Sequence, residues 1–318
     1  MLSKINSILT FPVRDLSWPE FTSADAKTFV ILAAFAILFA LEARWGYRKS
    51  PAKTARQSYL TNLGTFILND TMMSLMSVSS LWVLAERFSN WGLLRWFPDP
   101  VWKSLLSFLL LDLTLYFWHR ANHSFDCLWM FHKVHHSDRC MNVSTAFRLH
   151  FVEVVLTTLV KAAFVLLMGV DAAVLLANEA VITLFVLFHH SNIRFAGEHW
   201  LARLTIVPYL HRVHHSARRK EHDNNYGAVF SFWDRMFGTL AELEPAEIGL
   251  KHVPGQGLRE LIRFGLTPAL PPSQQYVEKM IAEAAYYRAE KRGFAPGYDY
   301  SDWLEAEKEI TGLRQRSS

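Results

Sequence analysis

Cysteine is nearly absent from this sequence, with only Cys127 and Cys140 among 318 residues. A disulfide framework is thereby excluded. Without a C-x-x-C pair a thiolate zinc site has no foundation either, and both thiols are expected to be reduced in the cytoplasm. Charge is also scarce: Asp, Glu, Lys and Arg make up 19% of the chain, against about a quarter in soluble domains. The net charge of +4 is small enough to serve membrane topology rather than nucleic-acid binding. No G-x-G-x-x-G, P-loop or H-E-x-x-H stretch occurs. The sequence therefore offers no nucleotide-phosphate cradle and argues against a zincin-type metalloprotease. There is no room for a flavin or haem domain.

What is present is apolar and aromatic: 51% hydrophobic residues and 14% Phe, Trp and Tyr. Such a composition excludes disorder and suits a protein anchored at two membrane interfaces. Residues 1–27 are mixed, with no charged start running into an apolar core, so no cleavable leader is expected there. Five apolar runs follow, at Phe29–Leu41, Leu60–Ala85, Val101–Trp118, Phe151–Met168 and Ala172–Phe188. The first is only about 20 Å long as a helix, short for a span. The second carries Asn62, Asn69 and Asp70; the last two are parted only by Gly169, Val170 and Asp171 and predict a tight helical hairpin. A large soluble helical protein is the competing reading. Arg44, Arg48, Lys49, Lys53 and Arg56 after the first run mark that loop as cytoplasmic. The sparser connection around Trp91, Trp96 and Trp102 then lies outside. Counting onward puts His119, His189 and everything after residue 189 on the cytoplasmic side.

The excess residue is histidine, at 14, and most fall in short clusters. His119 and His123 are spaced i, i+4; His132, His135 and His136 form an HxxHH unit; His189 and His190 stand side by side; His211, His214 and His215 repeat HxxHH. On a helix, residues three and four apart share a face, so each unit can present several imidazoles to one point. Neutral imidazole is a good ligand for iron, zinc and related ions. Nine histidines (119, 123, 132, 135, 136, 190, 211, 214 and 215) exceed what one ion takes, and two ions with four or five nitrogens each would use them. The bland alternative is a loosely ordered, proton-buffering basic face.

These clusters resemble the fatty acid hydroxylase/sterol desaturase superfamily of integral-membrane non-haem di-iron oxygenases. The resemblance runs from about residue 59 to 242. It rests on His119-xxx-His123, His132-xx-His135-His136, His190 before Ser191-Asn192, and Pro208-xx-His211-xx-His214-His215. It is extended by Asp223-Asn-Asn225-Tyr226-Gly227 and Trp233-Asp234-Arg235-Met-Phe237-Gly238-Thr239. It implies that the nine histidines hold two iron ions, with O2 as co-substrate. The implied reaction is hydroxylation or desaturation of a C–H bond in a lipid such as a fatty-acyl, sterol-like or isoprenoid chain. It implies also a separate electron donor, a reductase with ferredoxin or a cytochrome as carrier. The competing class is a divalent-metal transporter or other metal-binding membrane protein without oxygenase activity. Transport would place ligands within the spans, whereas these cluster beyond their ends.

Of the adjacent pair, the family pattern matches His190, leaving His189 beside the site. Asp112, two helical turns before His119, is the first candidate for a residue that orients a ligand, followed by Asp223 and Asn225. His150 and Glu153 are either further orienting residues or a polar patch at a helix start. His199, His222 and His252 read as surface residues. The expected fold is an all-α polytopic transmembrane bundle with a cytoplasmic histidine-rich, metal-binding cap. Residues 1–58 form a tail, first apolar helix and basic loop; 59–270 the membrane-embedded domain; 271–318 a charged helical tail. Pro268, Pro271 and Pro272 mark the boundary. Tyr286 to Gly293 with Asp302 to Glu307 resembles a short bacterial helical module of unknown function. A bacterial inner membrane is the expected location.

Overall fold

The computed structural model describes residues 23–75, 81–97, 99–251, 253–267 and 274–316. The leader expectation for residues 1–22, the surface position of His252, and Pro268, Pro271 and Pro272 lie outside the described residues. The membrane-associated part contains α1 (Ser23–Trp45), α2 (Ala52–Leu75), α3 (Leu81–Phe88), α4 (Pro100–Ser124), α5 (Asp126–His136), α6 (Phe151–Met168) and α7 (Ala172–His190). Five shorter helices follow: α8 (Glu198–Leu201), α9 (Pro208–His214), α10 (Arg219–His222), α11 (Phe232–Met236) and α12 (Leu258–Leu266). Two longer ones, α13 (Gln274–Lys291) and α14 (Asp299–Arg316), close the chain. Among the described residues there is no β-strand, only the isolated bridges Thr205–Phe230 and Ser216–Ile248. The architecture is all-α.

Among the described residues four helices are long and apolar enough to cross a bilayer: Ala26–Trp45, Pro100–Ser124, Phe151–Met168 and Ala172–His190. All four also present large apolar side chains outward. Phe29, Leu32 and Ile37 on α1 and Val101, Trp102 and Leu105 on α4 are all exposed, a pattern that only a lipid solvent stabilises. The protein is an integral membrane protein. The run Phe29–Leu41, which looked short, lies inside a 23-residue helix, about 35 Å at 1.5 Å per residue and ample for a span. The run Leu60–Ala85 falls on α2 and α3, with residues 76–80 outside the described residues, and neither helix is among the four apolar spans. The reason lies in the stripe α2 buries, which is polar (Ser58, Thr61, Asn62, Thr65 and Asn69). Its outward face carries Leu60, Phe66 and Ile67.

That polar stripe grips the segment behind α5. Asp138 accepts from Ser58 Oγ at 2.8 Å, Asn62 Nδ2 at 2.9 Å and Thr145 Oγ1 at 2.8 Å. Arg148 donates to the Val134 carbonyl at 3.1 Å and to Asn62 Oδ1 at 3.0 Å. Burial pushes the Asp138 carboxyl up, but Arg148 and the three hydrogen bonds outweigh it and hold it below the usual carboxylate range. Asp138 is therefore a buried anion paired through a filled network, the condition under which a buried charge is tolerated.

Helix ends are fixed by local chemistry. Asp99 accepts from Val101 N and Trp102 N, and Pro100 opens α4. Asp171 caps α7 through Ala173 N at 2.9 Å. Gly169 ends α6 at φ +69°, and a Cβ there would sit 1.6 Å from the Trp91 carbonyl oxygen, so the α6–α7 hairpin turns where only glycine fits. Leu111 and Leu115 of α4, Phe164 and Val165 of α6, and Leu175 and Ile182 of α7 form the main core with Ala85 and Leu94. The ends of α4 and α7 then meet α5 and α9 at a common cap. α13 and α14 pack on each other, joined by Arg288 to Glu305 and Glu309 and by Arg292 to Asp302.

Candidate metal centre

Each histidine cluster sits at the cap end of its helix. His119 and His123 occupy the last turns of α4; His132, His135 and His136 lie on α5; His190 ends α7; His211 and His214 lie on α9, with His215 at its C-cap. The nine converge in two groups, His119, His123, His132, His136 and His214 in one, His135, His190, His211 and His215 in the other. Each HxxHH unit divides its histidines between the two groups. Neighbours on a helix point about 100° apart, so His135 and His136 diverge, as do His214 and His215.

Within each group the ligand atoms lie within 4.8 Å of one another. Nitrogens held ~2.1 Å from a shared ion stand about 3 Å apart in cis and about 4.2 Å in trans, so the spacing fits a cation. Protonation supports the same fit. In the first group His119 Nδ1 donates to the Tyr226 carbonyl at 2.9 Å, His123 Nδ1 to Asp223 Oδ1 at 3.1 Å, His132 Nδ1 to Glu153 Oε1 at 2.6 Å and His214 Nδ1 to the Asn224 carbonyl at 2.8 Å. An oxygen acceptor at Nδ1 fixes the proton there and leaves the Nε2 lone pair facing inward. The Nε2 atoms of all five histidines are buried without a hydrogen-bond partner. Five orphaned ring nitrogens in one pocket, four of them lone pairs by their Nδ1 partners, are costly unless a cation takes them.

In the second group His190 Nδ1 donates to the Val186 carbonyl at 2.7 Å, so its Nε2 also faces inward as a lone pair. The Nε2 atoms stand 3.0 Å apart for His135–His190, 3.0 Å for His190–His211 and 3.2 Å for His211–His215. Burial first, and the neighbouring imidazoles second, hold His135, His136, His211, His214 and His215 well below the ordinary histidine value. They are neutral at physiological pH, the form that ligates. The second group is less braced: the Nδ1 atoms of His135, His211 and His215 have no partner.

The residues expected to orient ligands are placed unequally. Asp223 touches His123. Asp112 touches no histidine; it is buried and accepts from Val229 N at 3.0 Å, Phe230 N at 3.2 Å and Trp233 Nε1 at 2.8 Å. It pins the segment just past Tyr226, while Asp234 accepts from Tyr226 N and Gly227 N on the other side. Asn225, at φ +56°, ties the Leu210 and Ala241 carbonyls together. His150 caps α6 through Val152 N and packs on Phe131, whereas Glu153, one turn on, reaches His132. His189 is buried with its ring 4.0 Å from that of His211.

His199 is exposed as expected, but His222 is not on the surface. It is buried, donates from Nδ1 to the Ser216 carbonyl at 3.0 Å, stacks on Trp129 at 5.3 Å and lies 5.7 Å from the His123 ring. α10 folds back against α9 and carries it inward. No histidine stands three or four residues away, so spacing gave no sign of it. The carbonyls of Val186, Asn224 and Tyr226 carry no sequence signal at all.

Residues 104–239 match the fatty acid hydroxylase family. Residues 277–312 match a family described only as a protein of unknown function. The chain is 28% identical over 218 residues to an alkylglycerol monooxygenase of Danio rerio, covering 68% of this chain and 48% of that protein. It is 31% identical to the alkylglycerol monooxygenase of Homo sapiens over 48% of this chain and 34% of that one. With an ornithine lipid hydroxylase of Rhizobium tropici the identity is 30% over 46% and 45%. The matched stretch spans less than half the length of each of these relatives. No solved structure matches the chain.

Proposed function

We propose, on the premise that the chain belongs to the fatty acid hydroxylase superfamily, that it is a membrane monooxygenase hydroxylating a C–H bond of a lipid. The observation that carries this reading is the convergence of nine histidines, eight of them buried, in two groups, five of the Nδ1 atoms held outward by oxygen acceptors. Two iron-type ions bound there would supply the activation of O2. The overall balance is R–H + O2 + 2e⁻ + 2H⁺ → R–OH + H2O, so two electrons come from a separate reductase through a ferredoxin or cytochrome.

The chain's own residues do three things. The Nε2 lone pairs would hold the ions, Glu153 and Asp223 fix the imidazoles of His132 and His123, and the packed cap excludes water from the ligand atoms. The named relatives, a monooxygenase and a hydroxylase, support hydroxylation over desaturation. The basic loop after α1 supports a cap on the cytoplasmic side, and the helical C-terminal module supports a bacterial inner membrane.

The test is the lipid profile of cells lacking the protein, complemented with wild type or His214→Ala at equal membrane level. A hydroxylated lipid restored by wild type and absent with His214→Ala is expected. Restoration by both would sink the reading. Reporter fusions after residues 52 and 220 should report the cytoplasm, and one near residue 94 the opposite side.

A further inference from the structure

A cavity of about 1040 Å³ opens in the cap. Its wall includes Ser191, Arg212 and Ala217, which adjoin or nearly adjoin His190, His211 and His215 in the chain. Five cations line it, Arg48, Lys49, Arg139, Arg212 and Lys251, against one carboxylate, Glu247. Arg48 and Arg212 converge on Glu244, at 2.8 and 3.9 Å, and Arg212 lies over the Tyr47 ring at 4.6 Å. Among the described residues no carboxylate lies within 4 Å of Lys49, Arg139 or Lys251. Arg212 is 2% exposed, and its Nε, like that of Arg48, is buried with no hydrogen-bond partner. Both guanidiniums are otherwise engaged, Arg48 with Glu244 and the Pro245 carbonyl and Arg212 with the Ile193 carbonyl at 3.1 Å. Each therefore keeps one buried Nε donor outside hydrogen-bond distance, a costly state that an anion's oxygen would relieve.

The position says where the anion comes from. Residues 48–50 of the rim follow the end of α1 by a few residues, and Ser191 and Asn192 follow α7 directly; both helices are long and apolar enough to span. Trp45, at the end of α1, is exposed, as aromatic side chains at headgroup level are. The cavity therefore opens where two spans leave the bilayer, in the layer that lipid heads occupy. Basic pockets in that layer bind anionic head groups.

We infer that this cavity receives the phosphate-bearing, anionic head of a membrane lipid and holds the lipid's chain toward the second histidine group. The identification of that lipid as the substrate rests on the oxygenase reading; the binding itself does not.

The test uses the purified full-length protein in detergent, loaded with an equal mixture of phosphatidylglycerol and phosphatidylcholine and read by native mass spectrometry. Wild type is expected to retain phosphatidylglycerol over phosphatidylcholine by about tenfold or more. Arg139→Glu with Lys251→Glu, both at exposed positions that touch no histidine, should abolish the preference. Metal content per chain, unchanged, shows that the variant is folded. Equal retention of both lipids by wild type, or a preference untouched by charge reversal, overturns the inference. Saturable binding of inorganic phosphate by the lipid-free protein, with no lipid retained, would make a free anion the ligand and overturn the lipid source. A wild-type protein that keeps the preference but yields no hydroxylated lipid supports the cavity and sinks the oxygenase reading instead.

Discussion

Replacing Glu153 with glutamine separates the two histidine groups. Glu153 Oε1 accepts from His132 Nδ1 at 2.6 Å, and the side chains of both are almost wholly buried. The amide of glutamine can still accept that proton, so packing and tautomer survive while the charge that makes His132 a stronger donor to an ion is removed. Losing such a partner typically costs 10- to 100-fold in metal affinity, about 1.4–2.7 kcal/mol. Glu153 contacts only the first group, and no residue of the second group hydrogen-bonds to it. Metal retained per chain, followed by elemental analysis after graded chelator treatment, should therefore fall in two steps. One ion leaves at about 10- to 100-fold lower chelator than in wild type, and the other leaves unchanged. Glu153→Ala should move the first step further, because the buried Nδ1–H then has no acceptor, a cost of roughly 1–3 kcal/mol. Loss of both ions together in Glu153→Gln, or no movement of either step, would refute the assignment of Glu153 to one group.

His222→Ala removes a buried ring stacked on Trp129 and should lower stability by about 1–3 kcal/mol, read as a lower unfolding temperature at unchanged protein sequence elsewhere; wild-type stability would return His222 to the surface. Asp112→Asn leaves one oxygen to serve three N–H donors, so membrane abundance should fall while the protein that does fold keeps its metal; a loss of metal without loss of protein would place Asp112 at the ligands. Acidification should destabilise the chelator-treated protein. The five cap imidazoles lie below their unfolded value of about 6.5. Their contribution is complete above that pH and is lost as pH falls beneath it, because the unfolded chain then binds more protons. An unfolding temperature flat between pH 8 and pH 5, roughly the range spanning that value, would contradict this.

The membrane helices and the convergence of the nine histidines were legible because both depend on short-range patterns. Apolar length marks a span, and i, i+3 and i+4 spacing marks a helix face. What was not legible depends on tertiary return. α2 reads as a poor span because its polar stripe, Ser58 to Asn69, is directed at Asp138 and Arg148, which lie about 80 residues away in the chain. Asp112 reads as an orienting residue because it shares a face with His119, yet its oxygens point to the 229–233 segment. His222 is carried inward by a fold-back that spacing cannot express. The division of each HxxHH unit between two groups follows from helix geometry, but which histidine joins which group needed the tertiary approach of α5 and α9, which brings the His136 and His214 rings to 4.6 Å and the His135 and His215 rings to 4.6 Å.

Two separate ions in one chain, one at each histidine group, are what the proposed reaction requires. The most direct test of that requirement is the iron content of protein purified under conditions that preserve ferrous iron, measured beside His214→Ala, which removes a nitrogen from the first group alone. Two ions per chain in wild type, and one retained at the second group in His214→Ala, is the expected result. A wild-type protein that hydroxylates lipid with one ion or none per chain, or a His214→Ala protein that keeps both with unaltered affinity, would contradict the account.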